Sequence, residues 1–111
     1  MQKRFTLVFD EVILQQFKEL GKHAKTREMI SKMFDKMELL GPRAGVLVDS
    51  QLFIYEMKAK RPPIRLYYRH NKVSDELEVF EYEMKTSERK QKQTIHKLRV
   101  RVGSKSQDPR A

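Results

Sequence analysis

The sequence predicts an α+β fold in the order β-α-α-β-β-β-α. Three observations carry this expectation. Apolar residues recur at helical spacing in two early segments, the later segments 52–59, 64–69 and 76–84 alternate side by side, and a short apolar run precedes everything else. A lone first strand followed later by a three-strand meander implies a mixed, mostly antiparallel sheet. A helical hairpin covers one face of it, and a C-terminal helix lies at its margin.

The first strand is "KRFTLVF" (3–9), apolar through its second half. Asp10 is placed to cap the next helix, with Glu11 in its first turn. Ile13, Leu14, Phe17 and Leu20 form its apolar stripe, and Gly21 ends it. Thr26 is the cap candidate of the second helix, whose stripe is Met29, Ile30, Met33, Phe34, Met37 and Leu40. Gly41-Pro42 stops it, and 41–50 reads as a connector tucked against the sheet. The period of the methionines makes them core. His23, between the helices, is a surface-loop residue.

"LFIYEMKA" (52–59) is a strand with Leu52, Ile54, Glu56 and Lys58 on one face and Phe53, Tyr55, Met57 and Ala59 on the other. Pro62 and Pro63 fix the start of the next strand, since proline is tolerated at a strand's first residue. There Ile64, Leu66 and Tyr68 oppose Arg65, Tyr67 and Arg69. Asn71, in the turn 70–75, suits a positive φ. The fourth strand, 76–84, places Leu77 and Val79 on one side and Glu78, Phe80, Tyr82 and Met84 on the other. A last helix spans 87–100, with Ser87 as cap and Ile95 and Leu98 as its apolar side. Residues 101–111 form a polar tail expected to be disordered, which leaves 1–100 as a single domain.

The 111 residues fit one domain. The absence of cysteine excludes a disulfide framework, a thiolate metal site and a thiol nucleophile. Neither a signal-peptide pattern nor a membrane span is present in the sequence, so a cytoplasmic protein without membrane association is expected. The net charge is +9 and unevenly placed: residues 1–50 hold 9 Lys/Arg and 7 Asp/Glu, residues 51–111 hold 15 and 8. A basic C-terminal half points to a polyanionic partner.

The core sides of the second and third strands leave Glu56, Lys58, Arg65, Tyr67 and Arg69 on one face, expected to be open. Glu56 can also pair with Arg65 across the ladder. Lys85, Arg89, Lys90 and Lys92 come next along the chain, at the same edge. Arginines, lysines and a tyrosine on a concave face suit RNA: cations take phosphates, and a ring or guanidinium plane stacks a base. Cleavage through the 2′-hydroxyl also needs a base, a stabiliser of the charged phosphorane and an acid. Glu56 or a lysine of lowered pKa serves as base, and Arg65, whose fork matches two phosphate oxygens, as stabiliser. For the acid, Tyr67 or Lys85 is the candidate; His70 lies at a turn, and His96 sits on the last helix among Lys and Leu. No metal constellation is visible.

The "LGPRAG" after the second helix, the hairpin "LFIYEMKAKRPPIRLYYRH" and the exit "FEYEMKTSERKQKQ" resemble the RelE/HigB-type toxins of bacterial and archaeal toxin–antitoxin systems, including phage-derived relatives, over roughly residues 3–100. The resemblance implies a ribosome-dependent messenger-RNA endoribonuclease that inhibits translation without metal or other cofactor. It also implies a cognate antitoxin, a small helix-turn-helix protein, as partner. It assigns Arg65, Glu56, Lys58 and Lys85 to catalysis, with Thr86 beside Lys85, and leaves Tyr67, Arg69, Arg61, Arg89 and Lys90 for RNA. Phe80 stands where many relatives carry a histidine. The alternatives are a ParE-like inhibitor of DNA gyrase and a non-catalytic basic RNA- or ribosome-binding module. With Arg65 exposed, Arg65→Ala is expected to abolish toxicity and leave the protein folded.

Overall fold

The computed structural model describes residues 4–106. Five strands and three helices occur in order: β1 (Thr6–Phe9), α1 (Glu11–Glu19), α2 (Ala24–Leu40), a 3₁₀ turn at Gly41–Ala44, β2 (Val46–Asp49), β3 (Ile54–Lys60), β4 (Pro63–Asn71), β5 (Glu76–Met84) and α3 (Glu88–Ser106). The strands form one sheet in the order β1-β5-β4-β3-β2, antiparallel except for β1, which runs parallel to β5. The expected α+β class and the helical hairpin are present.

One face of the sheet holds the main core. Ile64, Leu66 and Tyr68 of β4 and Leu77 and Val79 of β5 pack with Ile13 of α1 and Ile30, Met33 and Met37 of α2. Burying each of these aliphatic side chains contributes roughly 1.5–3 kcal/mol. Leu14 and Leu40, assigned to the apolar stripes, are 55% and 39% exposed. α2 begins at Ala24, two residues before the expected cap Thr26.

The connector 41–50 contains a strand the sequence did not announce, β2, paired to β3 at the sheet's edge. Its side chains at Val46 and Leu47 are exposed, so no alternation marks it. Gly45 leads into it where no side chain fits. A methyl there would lie 2.6 Å from the Glu56 carbonyl oxygen and 2.9 Å from the Tyr68 hydroxyl. The Tyr68 hydroxyl also donates to the Gly41 and Pro42 carbonyls, at 3.2 and 3.3 Å. This ties the turn to the centre of the sheet.

β3 begins at Ile54, so Phe53 is not in the strand. Phe53 adopts φ 56° in the preceding turn, with the Lys72 ammonium 4.0 Å from its ring centroid. In the β4–β5 turn the positive φ falls on Asp75, while the Asn71 carboxamide oxygen accepts the N–H groups of Val73 and Ser74.

Two findings overturn the expected open face. First, β5 carries a bulge. Tyr67 pairs with Glu81 and Tyr68 with Val79, so Phe80 and Glu81 together oppose Tyr67. The extra residue shifts the phase of the rest of the strand: Tyr82 packs toward the main core, and Glu81 and Glu83 turn to the other face beside Phe80. Second, α3 does not stop at 100 or lie at the margin. It runs through Ser106 and lies across this face, where Leu98 and Val102 form a second core with Ile54, Tyr67 and Phe80. Residues 101–106 are therefore helix rather than tail; 107–111 lie outside the described residues.

Candidate functional site

The residues singled out for chemistry occupy the face under α3. Arg65 and Lys58 are register partners on β4 and β3; Glu56 stands two residues before Lys58, and Glu83 faces Arg65 from β5. Glu56 is 1% exposed and Arg65 6%. The Arg65 guanidinium lies between two carboxylates, with Nε 3.7 Å from Glu56 Oε2 and Nη1 3.5 Å from Glu83 Oε2. Nη1 also donates to the Ser87 carbonyl at 3.1 Å. The Glu56–Arg65 pairing is thus present, on the diagonal of the ladder. The projection of Arg65 and Glu56 into solvent is not: the terminal helix seals them in internal ion pairs.

Tyr67 is fully buried and donates its hydroxyl to Glu83 Oε2 at 3.0 Å. Burial, reinforced by the charges of Glu83 and Glu56, holds this hydroxyl far above the usual phenol range, so it stays protonated. It offers no exposed ring for a base to stack on and gives up its proton reluctantly. Arg69 lies towards the other end of β4, paired with Ile54 and Glu78, and donates from Nε to the Leu52 carbonyl at 3.1 Å. Tyr67 is therefore not the stacking platform expected from the sequence, while Arg69 borders a small depression with Glu76 and Glu78. His70 meets Asp75 at 3.2 Å in the β4–β5 turn, and His96 is exposed on α3.

The face is richer in acid than the sequence suggested. Asp49, Glu56, Glu81 and Glu83 are all buried, and each takes a donor from α3. Gln91 reaches Glu56 at 2.7 Å, Thr94 reaches Glu83, Lys97 and Arg101 reach Glu81 at 2.9 and 3.4 Å, and Arg99 reaches Asp49. Some of the cations of residues 51–111 therefore meet carboxylates inside the molecule: Arg65, Lys97, Arg99 and Arg101 all do. Reading strand alternation could not have found Glu81 and Glu83, because the bulge hides their phase.

Burial works to raise the Asp49 carboxyl. The Leu52 N–H, the Arg99 guanidinium and the Gln51 N–H outweigh it and hold the group below its ordinary value. A carboxyl made more acidic by folding contributes stability in full above its unfolded pKa, and that contribution is lost as pH falls through the folded one. Asp49→Asn is accordingly expected to destabilise the protein by roughly 1 kcal/mol at neutral pH, Arg99 being half exposed. The gap to wild type should close below about pH 4, as read by urea unfolding across a pH series.

A group of cations lies at one end of the sheet, exposed at Lys58, Lys60 and Arg61 and half-buried at Lys85. Lys58 and Lys60 end β3, Arg61 occupies the β3–β4 turn, and Lys85 comes directly after β5, its N–H bonded to the Pro63 carbonyl at 2.8 Å. Arg89 and Lys90, exposed in the first turn of α3, come just after Ser87, whose carbonyl meets Arg65. Lys58, Arg61 and Lys85 thus form a cationic rim at the end of the sheet that carries Arg65, with Arg89 and Lys90 following in the first turn of α3; Lys58 reaches the cluster itself, 3.6 Å from Glu56. Among the described residues no group of three or more His, Asp or Glu side chains is arranged to hold a metal ion.

Helical hairpin, sheet order and C-terminal helix together make this chain, by fold, a RelE-type α+β protein. Among the solved structures it resembles is RelE of E. coli. The isolated E. coli RelE toxin superposes with a TM-score of 0.62 at 22% identity, covering 86% of this chain and 99% of that one. A chain of the intact E. coli RelBE toxin–antitoxin complex gives 0.61 at 23% identity, covering 76% of this chain and all of that one. A doubly substituted E. coli RelE in the free state gives 0.59 at 26% identity, covering 76% and 84%. No family model matches the chain, and no curated protein matches it. Among the described residues no helix is long and apolar enough to cross a membrane.

Proposed function

We propose that the chain is the toxin of a toxin–antitoxin pair and a ribosome-dependent, metal-independent messenger-RNA endoribonuclease acting in the cytoplasm. The observation that carries this reading is the cationic rim at the Arg65 end of the sheet, set in a fold that matches a RelE toxin over that toxin's whole length. In this reading Arg61, Arg89 and Lys90 draw in the messenger backbone, and Lys58 and Lys85 help to neutralise the charge that develops during cleavage. Arg65 stabilises the charge that develops on the scissile phosphate, and Glu56 takes the 2′-hydroxyl proton. The RelBE complex supports a cognate antitoxin as partner here too.

Induced expression is expected to arrest growth and to cut transcripts between codons. Lys58→Ala combined with Lys85→Ala should reduce cleavage on purified ribosomes by roughly 10²-fold, the usual scale for removing charge stabilisation of a transition state. The melting temperature should stay near wild type, since Lys58 is about half exposed.

The closed site favours a second reading: a basic module that binds RNA or the ribosome without cutting. Arg65 is sealed, and the surrounding acids Glu56, Glu81 and Glu83 repel phosphate. Ribosome association that leaves transcripts intact would select that reading over the first.

A further inference from the structure

α3 is fastened unevenly along its length. Its second half is anchored twice. Leu98 and Val102 are fully buried in the second core, and Lys97, Arg99 and Arg101 pair with Glu81, Asp49 and Asp10. Its first half, Glu88–Thr94, buries one residue, Thr94. That half meets the sheet through hydrogen bonds from two uncharged side chains, Gln91 to Glu56 and Thr94 to Glu83. Both acceptors already face Arg65, so water can replace these two donors without leaving a carboxylate unpaired. Lifting the second half would instead expose Ile54, Phe80, Leu98 and Val102 to water.

We propose that residues 88–94 form a lid that lifts from the sheet while 97–103 stay seated, uncovering Arg65 for a phosphate group. The uncovered end carries Lys58, Lys60, Arg61, Arg65 and Lys85 against Glu56 and Glu83, so it stays net positive once the lid is up. A polyanion that contacts Arg65 only in the open form shifts the equilibrium toward that form. The identity of the ligand rests on the RNA reading above; the mobility of the lid does not.

The test is residue-resolved hydrogen exchange on the full chain, alone and with a short, uncleavable 2′-O-methyl RNA. Amides 92–95 are expected to exchange at least about 10-fold faster than amides 98–102 in the free protein, as a locally opening unit should. The RNA should raise exchange at 92–95 further and leave 98–102 unchanged. Gln91→Ala with Thr94→Val should reproduce the effect without RNA. Uniform protection along α3 overturns the lid, and so does RNA that binds while protection at 92–95 rises. RNA that fails to bind removes the ligand reading alone, and the gradient in the free protein then decides the lid.

Discussion

Arg65→Ala is expected to cost about 3–5 kcal/mol of stability, the scale for removing one partner of a buried ion pair. The side chain is sealed between Glu56 and Glu83, and its removal leaves two buried carboxylates without their common cation. For a domain of this size that corresponds to a fall in Tm on the order of 15 °C. Thermal unfolding followed by circular dichroism measures it, with Lys58→Ala as the control. Lys58 also faces Glu56, but its side chain is 52% exposed, and its loss should change stability by less than about 1 kcal/mol. An Arg65→Ala protein as stable as wild type would mean that the cluster is not desolvated. This reverses the expectation from sequence that the variant stays folded. Loss of toxicity in Arg65→Ala would therefore report folding as much as chemistry, and Lys58 and Lys85 are the better functional probes.

Leu98→Ala should cost about 2–5 kcal/mol, because a fully buried leucine leaves a cavity that its neighbours fill only in part. Its neighbours are Ile54, Tyr67, Phe80 and Val102, so the loss falls on the contact that seats α3. Urea unfolding gives the magnitude. Binding of an apolar dye to the uncovered face is the expected companion signal. Leu14→Ala on α1 is the matched comparison. Leu14 reads as equally apolar in sequence but is 55% exposed, and its truncation should stay within about 0.5 kcal/mol. Equal effects at the two positions would contradict the second core.

Much of the molecule is legible in the amino-acid pattern alone. Ile13, Ile30, Met33 and Met37 recur at helical spacing and are buried where that spacing puts them. The partition of β3 and β4 into a core side and a charged side also holds: Met57, Ile64, Leu66 and Tyr68 pack in the main core, while Glu56, Arg65 and Tyr67 lie opposite. β2 was not legible, because two of its four side chains face solvent at the sheet's edge and no apolar pattern marks it. The bulge at Phe80 was not legible either. "ELEVFEYEM" alternates smoothly on paper, and only pairing with β4 shows two residues opposite one.

What the sequence by itself determined is which side chains share a face, because the two-residue period of a strand and the 3.6-residue period of a helix are local properties of the backbone. Whether a face is open or covered is decided by another segment that chooses where to pack. Here α3, whose first residue comes 23 positions after Arg65, lays Leu98 and Val102 on Ile54, Tyr67 and Phe80. Its polar side chains meet the carboxylates beneath. Tertiary structure thereby turned a charged strand face, read as a surface for phosphates, into an internal ionic layer with its exposed cations at the rim.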